Sequence, residues 1–113
     1  MNRLICLAFV IAACTSSGHR DPTLEVVALE ILAPTCGQVQ CHSSSTKTEG
    51  YAFDTLDGAK AALKRLVNGT NGGQLLEVLE TTGGKRMPPD YPLDTQDIDL
   101  IKAWVAAGSQ GLE

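Results

Sequence analysis

Aromatic residues are scarce in this sequence. Its 113 residues include one tryptophan, two tyrosines and two phenylalanines, and Phe9 falls in an N-terminal run set apart below. A single domain with so few large side chains has a marginal core unless something staples it. Long apolar runs are also missing. Leu4 to Ala13 is apolar but too short for a membrane-spanning helix. No stretch alternates apolar and polar residues as a half-buried strand would, which leaves an all-α chain. Basic residues do not predominate: nine Lys and Arg stand against 13 Asp and Glu, a formal charge of -4. That balance excludes nucleic acid and anionic membrane as direct electrostatic partners and suits a basic one. Methionine is limited to Met1 and Met87. Of four cysteines, Cys6 and Cys14 lie near the N-terminus, so only Cys36 and Cys41 remain for a folded domain.

Met1-Asn2-Arg3 followed by the apolar run has the form of a secretory signal peptide, residues 1–13. The run ends Ile11-Ala12-Ala13-Cys14, and small residues before a cysteine resemble the bacterial lipoprotein signal. The resemblance implies cleavage before Cys14 and lipid on Cys14, the alternative being ordinary cleavage. Loss of Arg3 with the leader would take the formal charge one unit below that of the full chain. Residues 14–21 read as the lipidated cysteine and a flexible polar tether, with His19 in it simply solvated. By the same resemblance, Thr15 carries no inner-membrane retention signal, which favours the outer membrane. The expectation is an exported, membrane-anchored lipoprotein facing the periplasm or at the cell surface. In that oxidising setting two spare thiols become a disulfide or are otherwise capped.

About four helices are expected over residues 22–113. Asp21-Pro22 reads as the start of the first, with Leu24, Val27, Ala28 and Ile31 forming one apolar face and Pro34 as its end. Residues 43–50 hold no apolar side chain and read as a surface loop. Asp54-Thr55 starts a second helix with Ala59, Ala62, Leu63 and Leu66 on its inner face and Lys60, Lys64 and Arg65 outside. Asn68-Gly69 ends it, and Asn71-Gly72-Gly73 reads as a loop; the glycosylation-like triplet at 68–70 reads as a turn only. Leu75, Leu76, Val78 and Leu79 mark a short third helix stopped by Gly83-Gly84. Three prolines at 88, 89 and 92 forbid a helix there and stiffen the loop. The last helix has a cap at Asp94, Asp97 in its first turn, a Leu93–Ile98 staple, an Ile98, Ile101, Trp104, Val105 stripe and a stop at Gly108.

Cys36-Gly-Gln-Val-Gln-Cys41-His42 carries the chemistry. A cysteine pair followed directly by histidine is the form of a c-type haem attachment site, whose usual spacing is Cys-x-x-Cys-His; here four residues separate the thiols. At such a site each thiol adds across one vinyl group, giving two thioethers. His42 Nε2 would ligate the iron, and its other nitrogen should donate to a backbone carbonyl. Gly37 would help the longer loop turn and bulge outward. Met87, clamped between Arg86 and Pro88-Pro89, suits a sulfur ligand on the other face of the iron, whereas a gap-filling core methionine would sit on an apolar helical face. Other readings stay open. A Cys36–Cys41 disulfide explains the cysteines in a haem-free binding or structural module. A zinc site would need a fourth ligand. A redox thiol pair would want two-residue spacing on a sheet-and-helix fold.

The order helix, Cys…Cys-His, loop, helices, Arg86-Met87-Pro88-Pro89, then a final helix ending Ile101-Lys-Ala-Trp104-Val-Ala-Ala-Gly108 resembles a small exported bacterial monohaem cytochrome c domain, from about Leu24 to Ser109. The resemblance implies a small cytochrome c-like helical fold around one covalent haem c. It implies Cys36 and Cys41 as thioether anchors, His42 as proximal and Met87 as distal iron ligand, and Trp104 packed near the cofactor. It also implies first and last helices crossing at one haem edge. The function expected is electron transfer with redox protein partners, as donor and acceptor, rather than catalysis. A peroxidase-type enzyme whose Met87 lets go is the enzymatic alternative, and no catalytic acid or base is evident near either motif.

Overall fold

The computed structural model describes residues 19–68 and 72–113; the leader, Cys14 and most of the tether lie outside them. Every regular element among the described residues is helical, and none is a strand. Helix α1 covers residues 24–36 as an α-helical turn, a π-helical stretch Val26–Leu32 and a closing α-helical turn Ala33–Cys36. A single 3-10 turn follows at Thr48–Gly50. Helices α2 (Leu56–Leu66), α3 (Gly73–Glu80) and α4 (Thr95–Ala106) complete the order.

Two expectations for α1 need correction. Thr23, not Asp21, begins it: the Thr23 hydroxyl accepts from Val26 N–H at 3.2 Å and the Thr23 carbonyl from Val27 N–H at 3.0 Å. Pro34 does not end it. In an unbroken α-helix, proline removes one hydrogen bond and its ring crowds the carbonyl four residues back. Here the π-helical stretch shifts the hydrogen-bond register, so that Ala33 N–H reaches the carbonyl of Ala28. The last α-helical turn therefore starts afresh at Ala33 and holds Pro34 in its first turn, where a missing N–H costs little. The helix thereby carries on to Cys36.

The inner face of α1 is Leu24, Val27, Ala28, Ile31 and Leu32, all buried. Helix α2 packs on α1, α3 on α2, and α4 on both α1 and α3. Ala59, Ala62, Leu63 and Leu66 from α2, Leu75 and Leu79 from α3, and Ile101 and Trp104 from α4 close one core with Phe53 and Leu93. The caps explain where α2 and α4 begin. Thr55 Oγ1 accepts from Gly58 N–H at 3.1 Å, and Asp94 Oδ1 accepts from Gln96 N–H at 2.9 Å. Each such cap contributes about 1 kcal/mol. Leu93 just before the α4 cap is buried and Ile98 packs against the same core, as a staple requires.

Gly108 ends α4 at φ 99°. Ser109 N–H bonds the Trp104 carbonyl and Gly108 N–H bonds the Val105 carbonyl, both at 3.0 Å. This paired closure needs a left-handed residue at 108, which glycine takes without steric cost. The turn brings the Gln110 carbonyl back to accept from Trp104 Nε1–H at 3.1 Å. The fully buried indole is thus satisfied within the core. Lys102 on α4 and Glu80 on α3 pair at 3.0 Å, and Arg20 ahead of α1 pairs with Asp97. No described helix is long and apolar enough to cross a membrane.

Candidate functional site

The C-terminal end of α1 delivers Cys36, and the loop after it folds back on that end. Gly37 N–H still bonds the carbonyls of Leu32 and Ala33, both at 3.1 Å, and Cys41 N–H bonds the Gln38 carbonyl at 2.9 Å. His42 N–H then returns to the Cys36 carbonyl at 3.0 Å. That last bond sets Cys41-His42 beside Cys36 despite four intervening residues. Of the four intervening residues, Gln38, Val39 and Gln40 are exposed, Val39 at 71%, while Gly37 is buried.

Gly37 does not serve as the sequence suggested. Its φ and ψ of -82° and 15° are open to any residue. The reason for glycine is space: a Cβ would lie 2.7 Å from the Ala33 carbonyl oxygen, 2.8 Å from Phe53 C and 2.9 Å from Asp54 N. All three are backbone atoms that cannot rotate away. The loop 37–42 is therefore pressed against the chain at 53–54, and Phe53 N–H donates to the His42 carbonyl at 2.6 Å.

Residues 44–50 are exposed, as their polarity implies, and Ser43 alone in the stretch is not. Ser43 is buried, and its hydroxyl donates to the Val39 carbonyl at 3.1 Å. Asp54 accepts from both Ser44 N–H at 3.0 Å and Ser44 Oγ at 2.8 Å, and these bonds hold its carboxyl below the usual range. The carbonyl of Thr48 lies 2.7 Å from His42 Nδ1. An imidazole that gives its Nδ1 proton to a carbonyl keeps the Nε2 lone pair free, the arrangement of a metal-ligating histidine fixed by its outer partner.

Two aromatic rings flank His42. Phe53 meets it edge-on with centroids 5.7 Å apart, and Tyr51 is tilted at 6.0 Å. The Arg65 guanidinium lies over the Tyr51 ring at 4.7 Å. Met87 comes from the proline-rich loop. Its N–H donates to the Val78 carbonyl on α3 at 2.8 Å, and Arg86 Nη2 donates to the Pro89 carbonyl at 3.2 Å. The methionine is 37% exposed, so it is no core filler.

These pieces border two hollows. An inner one has a cavity of about 120 Å³, walled by Leu32, Phe53, Leu66, Leu75, Val78 and Leu79, with Glu49, Tyr51 and Gln74 also on it. An outer, more open one has about 510 Å³ and runs from Pro34 and Cys41 past Gln38 and Gln40 to the loop 87–94 and Asp97. Cys36, His42 and Met87 border both; Cys41 borders the outer one. The structure thus brings Cys36, Cys41, His42 and Met87 together. It does not bring Trp104 to either hollow: the indole lies in the core, on neither lining. Cys14, the expected lipid site, lies outside the described residues.

Both cysteines are free thiols. Cys36 is half-buried and Cys41 exposed. Burial pushes the Cys36 thiol up, partly offset by the Thr35 hydroxyl 3.5 Å away. No group of three or more His, Cys, Asp or Glu side chains among the described residues is placed to hold a bare metal ion. Two thiols, one histidine and a thioether from another loop border the hollows, and six apolar side chains wall the inner one. Donors of these types are those that hold haem c.

The walls Tyr51 and Phe53 and the Thr48 carbonyl were not marked in the sequence as site residues. Tyr51 and Phe53 could have been found as the closest pair of aromatics in an aromatic-poor chain, just beyond the histidine. A backbone carbonyl leaves no signal in residue type. Compared with protein-family models, curated proteins and solved structures, the chain matches none of them.

Proposed function

We propose that this chain is a single-haem c-type electron carrier. The observation that carries the reading is the shared lining of the two hollows by Cys36, His42 and Met87, with His42 Nδ1 tied to a backbone carbonyl. Cys36 and Cys41 would hold the porphyrin through thioethers, His42 Nε2 would be the proximal ligand and Met87 sulfur the distal one. The bound group supplies one-electron cycling between Fe(II) and Fe(III). The chain's own part is to keep that centre dry and still. Leu32, Phe53, Leu66, Leu75, Val78 and Leu79 exclude water from the inner hollow. The Val78 carbonyl and the Arg86 bonds hold the Met87 loop, and the Thr48 carbonyl holds the imidazole. Trp104 acts at a distance, by keeping α4 against α1 and α3.

With His42 and Met87 both holding the iron, substrate would have no open place, and the chain would be a carrier rather than an enzyme. The outer hollow is where redox partners, one donor and one acceptor, would approach. Export, lipid on Cys14 and attachment to a membrane facing the periplasm or the cell surface complete the reading.

Met87→Ala tests the ligand set. The haem-loaded protein should lose the thioether–iron absorption band and its reduction potential should fall. A parent protein that never shows the band would remove Met87 from the iron and favour an open-site enzyme.

A further inference from the structure

Just after the buried Ser43 the backbone enters a region that side chains ordinarily avoid. Lys47 has φ 47° and ψ 48°, and Glu49 has φ 58° and ψ 17°; Gly50 follows at φ 78°. Only glycine takes the left-handed region without steric cost. Two non-glycine residues there within three positions make this a strained turn, and Lys47 has no side-chain capping bond to offset it. The main chain enforces it instead. Lys47 N–H bonds the Ser43 carbonyl at 2.8 Å, Thr48 N–H the Cys41 carbonyl at 3.3 Å, and Gly50 N–H the Lys47 carbonyl at 2.7 Å. What the turn presents is the Thr48 carbonyl, which receives Tyr51 N–H at 3.2 Å and lies 2.7 Å from His42 Nδ1. Strained backbone that persists beside a candidate site is a pointer to function.

We propose that the left-handed turn at residues 47–50 is a positioning device for His42. By holding Lys47 and Glu49 in strained backbone it fixes the Thr48 carbonyl on Nδ1. That carbonyl keeps the imidazole proton on Nδ1 and leaves Nε2 as the donor nitrogen. Lys47 and Glu49 are positioning residues, and they act through main-chain shape rather than side-chain charge. The purpose assigned to the device rests on His42 being the haem ligand; the device itself concerns protein atoms alone.

The test uses the full chain as purified, with imidazole nitrogens labelled, and follows the His42 Nδ1–H proton by NMR in deuterated solvent. The parent should show one slowly exchanging Nδ1–H. Lys47→Gly and Glu49→Gly should each keep that proton slow and raise the folding equilibrium constant about fivefold, since glycine relieves left-handed strain at a smaller entropic cost. Glu49→Pro cannot take a positive φ and should speed the exchange at least tenfold. In haem-loaded chain it should also raise the reduction potential, because weaker donation from Nδ1 makes the imidazole a poorer electron donor. A Glu49→Pro protein whose Nδ1–H stays slow overturns the proposal. So do glycine variants that lower stability, and these decide the matter if Glu49→Pro does not fold. The mass of the same samples reports separately whether haem is attached, so a failed haem reading and a failed turn are told apart.

Discussion

Trp104 and His42 each direct a ring nitrogen at a backbone carbonyl, at 3.1 Å and 2.7 Å, in regions of opposite character. Around Trp104 the chain is one helix and the tight turn that closes it, with Gly108 and Ser109 left-handed. Helix α4 is capped by Asp94, stapled by Leu93 and Ile98, and terminated by a glycine that returns the Gln110 carbonyl to the indole. Around His42 the chain is turns. Two non-glycine residues and Gly50 are left-handed, two thiols are free, and apolar side chains from α1, α2 and α3 face a hollow. The first region is completed by its own sequence. The second spends backbone strain and a glycine squeezed against main chain to aim one imidazole, one thioether and two thiols at a common space. A chain with so few aromatics keeps its one tryptophan for the region that must stay rigid. Cys41, His42 and Met87 go on loops hung from that scaffold, and Cys36 on the last turn of α1.

The contrast can be broken most forcefully at Trp104. Trp104→Ala should cost about 3–5 kcal/mol of folding stability, read by chemical denaturation, because the whole indole is buried and its hydrogen bond is lost. Trp104→Phe in haem-loaded protein should leave the thioether–iron band in place. Loss of that band would mean that the indole serves the cofactor directly, and the two regions would not be separate.

Gly37→Ala should come next, at about 1–3 kcal/mol, since the added methyl meets three fixed backbone atoms. It should also lower the fraction of chains carrying haem, because the clash sits between Cys36 and the segment at 53–54. Unchanged stability would show that the anchor loop is free to shift.

The smallest expected effect sharpens the same region. Asp54 is held below the ordinary carboxylate range by the two Ser44 bonds. Its contribution is present in full above that ordinary range and is lost as pH falls through the lowered folded value. An acid titration of stability should therefore show a component that Asp54→Asn removes. An identical acid profile in the variant would mean that the Ser44–Asp54 tie does not hold the loop.

The helices were legible in the sequence because their signals are local. The apolar spacing of α1 and α2, the Asp94 cap and the Gly108 stop each lie within a few residues of the structure they specify. The misreadings came where the register or a distant neighbour decides. Pro34 looks like a helix end, but a π-helical stretch upstream resets the hydrogen bonding and gives it a first-turn position. Gly37 looks like a turn residue, but the backbone at 53–54 is what excludes a side chain. Ser43 opens a wholly polar stretch and is buried, since it bonds back to the Val39 carbonyl. At the site, Cys36, Cys41, His42 and Met87 could be chosen by residue type, and the fold brings them together. Tyr51, Phe53 and the Thr48 carbonyl reach His42 through a turn whose left-handed residues, Lys47 and Glu49, are not types that announce such a conformation. Trp104 was expected near the cofactor because its helix pattern resembles one that packs there; its indole bonds the Gln110 carbonyl and lines neither hollow.

The most direct test of the central claim is the intact mass of the purified, denatured chain. Covalent haem on Cys36 and Cys41 adds the full mass of haem, which denaturant does not remove, and Cys36→Ala with Cys41→Ala abolishes the increment. A mass short of the bare chain by two hydrogens, with no bound colour, would instead mean a Cys36–Cys41 disulfide and would contradict the haem reading at its anchor.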